Sequence, residues 1–179
     1  MFEYCQICQN YPLENIHRIH HDTVYGLAID DDNELFGKLI LEINQAGLSW
    51  NTILQKENNF RSAYSNFEVE RIAAYDDEDR LRLMSDSGII RNRLKIDAVI
   101  YNATVVLGIQ KEFGSFFQWL KIQECLHKME WVKLFKSRFK FTGGEIVNEF
   151  LMTIGRIDGA HKEGCYRYEL YSERRNEWK

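Results

Sequence analysis

The chain predicts an all-α domain. Apolar residues recur at three- to four-residue intervals through most of its length, which is the period of a helix with one buried face. Period-two alternation, the mark of a half-buried strand, is scarce. The 179 residues include one proline, which argues against linkers and disordered tracts, and 45% of them are apolar, enough to form a core. The length fits one compact domain, 1–179. It also fits two small lobes: 33–112 as a helical lobe carrying a hairpin, and 1–32 with 113–179 as a lobe fastened by a metal.

Residues 1–30 show no clear period and read as irregular. The first clear helix is 33–45, where Leu35, Phe36, Leu39, Ile40 and Ile43 share a face. Asp31 or Asp32 can cap its start. Gly47 stops it, and Ser49 can cap the next helix at 50–57. Further helices are expected at 59–66, 68–74, 77–85 and 92–112. The last is the longest, with Leu94, Ala98, Tyr101, Val105 and Ile109 on one stripe and Phe113-Gly114 at its end. Short helices at 115–120, 129–138 and 144–154 follow, and 155–179 reads as irregular again. Irregular ends fray unless something holds them.

No apolar run approaches the roughly 18 residues that a membrane span needs. The segment MFEYCQICQN lacks the basic start and apolar stretch of a signal peptide, so a cytoplasmic location is expected. Net charge is −4 and the pI is near 5.8, which speaks against a uniformly basic nucleic-acid binder. The charges are clustered, however. Arg91, Arg93 and Lys95 form one basic group, and Lys133, Lys136, Arg138 and Lys140 another that also suits a solvated helix face.

Four cysteines occur, and a cytoplasmic chain is not expected to pair them. Cys8 and His21 lie near the start; His161 and Cys165 form an H-x3-C pair near the end. Two thiolates and two imidazoles make a tetrahedral zinc set with no open position, hence a structural one. Cys5 competes with Cys8 and His20 with His21 for this role, while buried cysteines and surface histidines remain the plain alternative. Cys125 reads as a core filler.

Residues Leu41 to Trp50, LEINQAGLSW, place the carboxylate of Glu42 and the indole of Trp50 on either side of a glycine turn. A helical corner with a half-buried Glu and a core Trp would account for this, and so would a pocket for a planar base. A second turn, Met84 to Arg93, carries Gly88, which can take a positive φ, and apolar anchors Ile89 and Ile90. It leads into a helix start where N–H groups can hold a phosphate beside Arg91 and Arg93.

The strings QAGLSW, the pair Phe60-Arg61, and GIIRNRLKI from Gly88 to Ile96 resemble the DNA-3-methyladenine glycosylase I family, over about Cys8 to Cys165. The resemblance implies a helical DNA-glycosylase fold with a helix-hairpin-helix element, its two terminal segments joined at one structural zinc held by Cys8, His21, His161 and Cys165. It implies a monomer that removes N3-alkylated adenine from double-stranded DNA without cutting the strand. Glu42 would be the catalytic group, lining the base pocket with Trp50, Tyr25, His20 and His17. Gly47 and Leu48 would wedge into the vacated stack, and Gly88, Arg91, Arg93 and Lys95 would hold the backbone. The chain departs from the family where His17 and His20 replace tyrosines, Val24 a glutamate and Tyr25 a tryptophan, and where the tail from Ile157 to His161 is one residue longer. Protonated histidines would repel a cationic base, so neutral ones are expected. These departures keep open a non-catalytic, zinc-stabilised module for damaged DNA, or a glycosylase for another modified base.

Overall fold

The computed structural model describes residues 2–123 and 127–178; Cys125 lies outside them. Among the described residues there is no strand. The described residues form eleven α-helices in the order α1 Phe2–Gln9, α2 Ile16–Thr23, α3 Asp32–Gln45, α4 Trp50–Ala63, α5 Val69–Ala73, α6 Asp77–Ser85, α7 Arg93–Phe113, α8 Phe116–Lys121, α9 Lys128–Arg138, α10 Gly144–Thr153 and α11 Tyr168–Arg174. Among the described residues no helix is long and apolar enough to cross a membrane.

α3 is the axis of the molecule. Its stripe of Leu35, Phe36, Leu39, Ile40 and Ile43 is fully buried, and α4, α7, α8 and α10 pack around it. Asp31 caps α3 by accepting from the Glu34 N–H at 2.9 Å. Asp32 reaches across to accept from the N–H groups of Phe116 and Phe117 at 2.8 and 2.9 Å, tying α8 to the start of α3. A layer of rings from Phe116, Trp119, Phe135, Phe139 and Phe150 fills the space below.

Three expectations are corrected. The segment 50–66 is one helix and a tight turn, not two helices. α4 runs through the Asn58-Asn59 pair on its exposed face, and the chain reverses at Ser65, Asn66 and Phe67, all with positive φ. The terminal segments are irregular only in part: α1, α2 and α11 form within them, while 24–31 and 154–167 carry no helix. Asn15 caps α2 by accepting from the His17 N–H at 2.9 Å, and the buried face of α2 is made of His20 and His21. Gly88 does not take a positive φ. Glycine suits that position for space, because a Cβ would stand 2.9 Å from Asp86 Oδ1 and 3.2 Å from Asn59 Cβ.

The N-terminal segment meets the end of α10 backbone to backbone. The Gly26 N–H donates to Thr153 O at 2.8 Å, and a Cβ on Gly155 would lie 2.3 Å from Gly26 O. A small second apolar cluster of Tyr25, Ala160 and Tyr171 forms beside this crossing.

Candidate active site

The last turn of α3 carries Glu42 on the edge of the buried stripe, so its carboxyl is only 3% exposed. Its one hydrogen-bond partner among the described residues is the Thr153 hydroxyl, which donates to Oε1 at 3.4 Å. Burial, and then the nearby Glu149 carboxylate, push the Glu42 carboxyl up to about 8, against the pull of Thr153 and Lys38. Beyond Gln45 the chain turns at Gly47 (φ 83°), a left-handed conformation that L side chains rarely adopt. Ser49 then caps α4 through the Thr52 N–H at 3.3 Å. This places Trp50, half-buried, as the first residue of α4.

Glu42 and Trp50 line one cavity of about 550 Å³. Tyr25, His20 and His17 line it too, so every residue assigned to a base pocket from sequence meets there. Sequence reasoning missed Tyr4, Asn51, Glu149 and Thr153, which complete the wall. His20 stands edge-on to Trp50, with ring centroids 5.2 Å apart. Burial pushes its imidazole down to about 3, so it is neutral near pH 7, and its Nδ1 has no partner. His17 is held at the rim, with Nε2 3.1 Å from Asn51 Oδ1 and Nδ1 3.4 Å from the Tyr4 hydroxyl.

The corner between α3 and α4 is exposed at Gly47 and Leu48. Arg91 and Arg93 are also exposed, at the turn into α7. Asn92 caps that helix by accepting from the Lys95 N–H at 3.2 Å, and Lys56 donates to the carbonyls of Ser87 and Gly88 at 3.1 and 3.0 Å. Lys95 itself does not face outward. It is 4% exposed, and its ammonium donates to Asn44 O at 2.8 Å and Ala46 O at 2.7 Å. It satisfies carbonyls that the end of α3 leaves free, and so braces the corner. Lys95→Met should therefore lower stability by about 2–3 kcal/mol, since hydrogen bonds from a charged donor are lost in a buried setting. It should also reduce any activity that depends on the corner; an unchanged denaturation midpoint would show that the corner holds without the lysine.

A second cluster lies behind the cavity. Cys5, His21, His161 and Cys165 are buried, and their ligand atoms all lie within 4.8 Å of one another. Cys165 Sγ is 3.5 Å from His21 Nε2 and 3.4 Å from His161 Nδ1, and Cys5 Sγ is 3.8 Å from His161 Nδ1. The far nitrogen of each imidazole is engaged as well: His21 Nδ1 with Asp22 Oδ1 at 2.8 Å, and His161 Nε2 with Tyr25 O at 2.7 Å. Metal-bound imidazoles are oriented in this way. The donor set is thus compatible with a metal ion. Cys8, named from sequence, is outside the set. It sits one helical turn along α1 from Cys5 with its Sγ 3.6 Å from His17 O.

A family model described as methyladenine glycosylase matches residues 11–131. DNA-3-methyladenine glycosylase 1 of Escherichia coli (strain K12) is 33% identical over 172 residues, covering 83% of this chain and 89% of the relative. DNA-3-methyladenine glycosylase of Haemophilus influenzae (strain ATCC 51907 / DSM 11121 / KW20 / Rd) is 38% identical over 175 residues, covering 85% and 92%. The fold is similar to that of a single-residue variant of 3-methyladenine DNA glycosylase I solved in complex with 3-methyladenine. The TM-score is 0.77 at 30% identity, over 90% of this chain and 95% of that one.

Proposed function

This chain belongs to the methyladenine glycosylase family, and from that footing we propose that the cavity between Glu42 and Trp50 receives the base it removes. The protein is a DNA-3-methyladenine glycosylase, which excises 3-methyladenine in base excision repair. One observation carries the site assignment: the acidic and indole groups line a single cavity whose wall includes Gln45 and Ser49, the residues flanking the exposed Gly47-Leu48 tip.

The substrate is alkylated double-stranded DNA, met by a monomer of one domain. The three cysteines among the described residues form no disulfide, which suits a cytoplasmic setting. Arg91, Arg93 and the hairpin at Gly88 hold the backbone without reading sequence. The damaged base leaves the stack, and Leu48 at the turn tip fills the gap. Adenine alkylated at N3 is cationic, so the face of Trp50 attracts it by about 0.5–2 kcal/mol. On meeting that charge Glu42 releases its proton to solvent, and the carboxylate left behind is the counter-ion and accepts from the amino edge of the base. Neutral His20 adds no repulsion. Water attacks C1′ and loses a proton to solvent; the glycosidic electron pair leaves on the ring, and neutral 3-methyladenine departs. The hairpin segment 86–92 holds no lysine, and Lys95 is bound to carbonyls, so neither offers an amine for strand cutting.

Cys5, His21, His161 and Cys165 hold one structural zinc. Three of the donor pairs lie 3.4–3.8 Å apart, which supports this, because tetrahedral sites with bonds of about 2.0–2.3 Å need ligand atoms roughly that far apart. Four protein ligands would leave such an ion no open position, and its binding would fasten α1 and α2 to the segment before α11.

Incubation with methylated duplex DNA tests the function. Free 3-methyladenine should appear while the strand stays intact until alkali is added. Tight binding with no free base would point to a non-catalytic module, and release of another base would reassign the lesion.

A further inference from the structure

We propose that Glu149 is a second acidic group of the base cavity and that, with Glu42, it selects purines carrying a fixed positive charge. The inference rests on the assignment of that cavity as the base pocket. Glu149 and Thr153 stand one turn apart on α10, so both face the cavity. Thr153 bonds Glu42 Oε1, which brings the acid of α3 and the acid of α10 to the same chamber.

Among the described residues neither carboxyl makes an ion pair. Lys38, on α3 beside Glu42, donates to Glu57 at 2.9 Å. Lys128, on α9 beside Glu149, lies 3.3 Å from Glu145. Glu145 adds a further like charge to Glu149, and Asn148 adds a neutral hydrogen bond. Two acids in a poorly solvated chamber cannot both ionise without a counter-charge. A cationic ring is that counter-charge, and a neutral purine is not. Burial raises Glu149, and its charge raises Glu42. An independent sign of a missing ligand is His20 Nδ1, which is unpartnered on a side chain only 5% exposed in the same wall.

The test compares 3,9-dimethyladeninium, a fixed cation with no cleavable sugar, with neutral 9-methyladenine. Binding to the full chain is followed by tryptophan fluorescence and calorimetry from about pH 6 to 9. The wild-type protein should prefer the cation, more so as pH rises through the range where Glu42 loses its proton. Glu149→Gln should cut that preference about tenfold and shift its rise to lower pH, because removing one like charge of the pair is worth about one pH unit. Glu149→Asp should keep the preference. An unchanged preference and pH profile in Glu149→Gln would overturn the inference while leaving the pocket in place. If Glu42→Gln also left the cation's affinity unchanged, the pocket assignment would fail and the inference with it.

Discussion

Glu42→Gln is expected to slow 3-methyladenine release by about a hundred- to a thousandfold, the usual loss when one preorganised charge is removed from a reacting centre. The same substitution should stabilise the protein at alkaline pH. The folded-state pKa of Glu42 is raised, to about 8 from an ordinary 4.5, by burial and by Glu149. A raised carboxyl contributes stability that is complete below pH 4.5 and is lost as pH climbs through 8. Glutamine does not titrate. The stability of the variant relative to wild type should therefore rise between those two values, by on the order of 5 kcal/mol at most. Denaturation of both proteins at about pH 5 and pH 8.5 reads this directly. A stability difference that is flat with pH would remove the buried acid from the account, and full activity in the variant would remove its role.

Loss of the metal set should have the next largest effect. Cys165→Ser, or a strong chelator, is expected to lower stability by on the order of 5 kcal/mol, because binding at a preformed site is coupled to folding. The loss should be local. Amides of α1, α2 and α11 should exchange quickly, while those of α3, α7 and α10 keep their protection. Elemental analysis should find about one zinc per chain in the wild type and in Cys8→Ser, and none in Cys5→Ser or Cys165→Ser. Zinc lost from Cys8→Ser and kept in Cys5→Ser would reverse the choice between the two thiols.

The helical core was legible because α3 and α7 keep their apolar stripes without interruption, and pattern is what a core imposes on a helix. The corner at Gly47 was legible because a stop and a cap stand two residues apart. α2 was not, since its buried face is two histidines that read as polar and are buried only because they have partners elsewhere. Cys5 and Cys8 could not be separated, since a spacing of three puts both on one side of a helix and the docking of α1 decides between them. Lys95 sits in a basic string and looked like a phosphate contact, but it turns inward because the end of α3 leaves carbonyls above it. Glu149 was invisible for the opposite reason: in EIVNEFLMT it resembles the exposed Glu145, and only the packing of α10 on α3 turns it inward.

The crossing of Gly26 with Thr153 and Gly155 also governs when the enzyme can exist during its own synthesis. A nascent chain presents Cys5, His21, Glu42 and Trp50 early, but the opposite wall at Glu149 and the remaining donors at His161 and Cys165 leave the ribosome more than a hundred residues after Glu42. A polypeptide stalled before Glu149 would carry the acid and the indole without the opposite wall of the cavity.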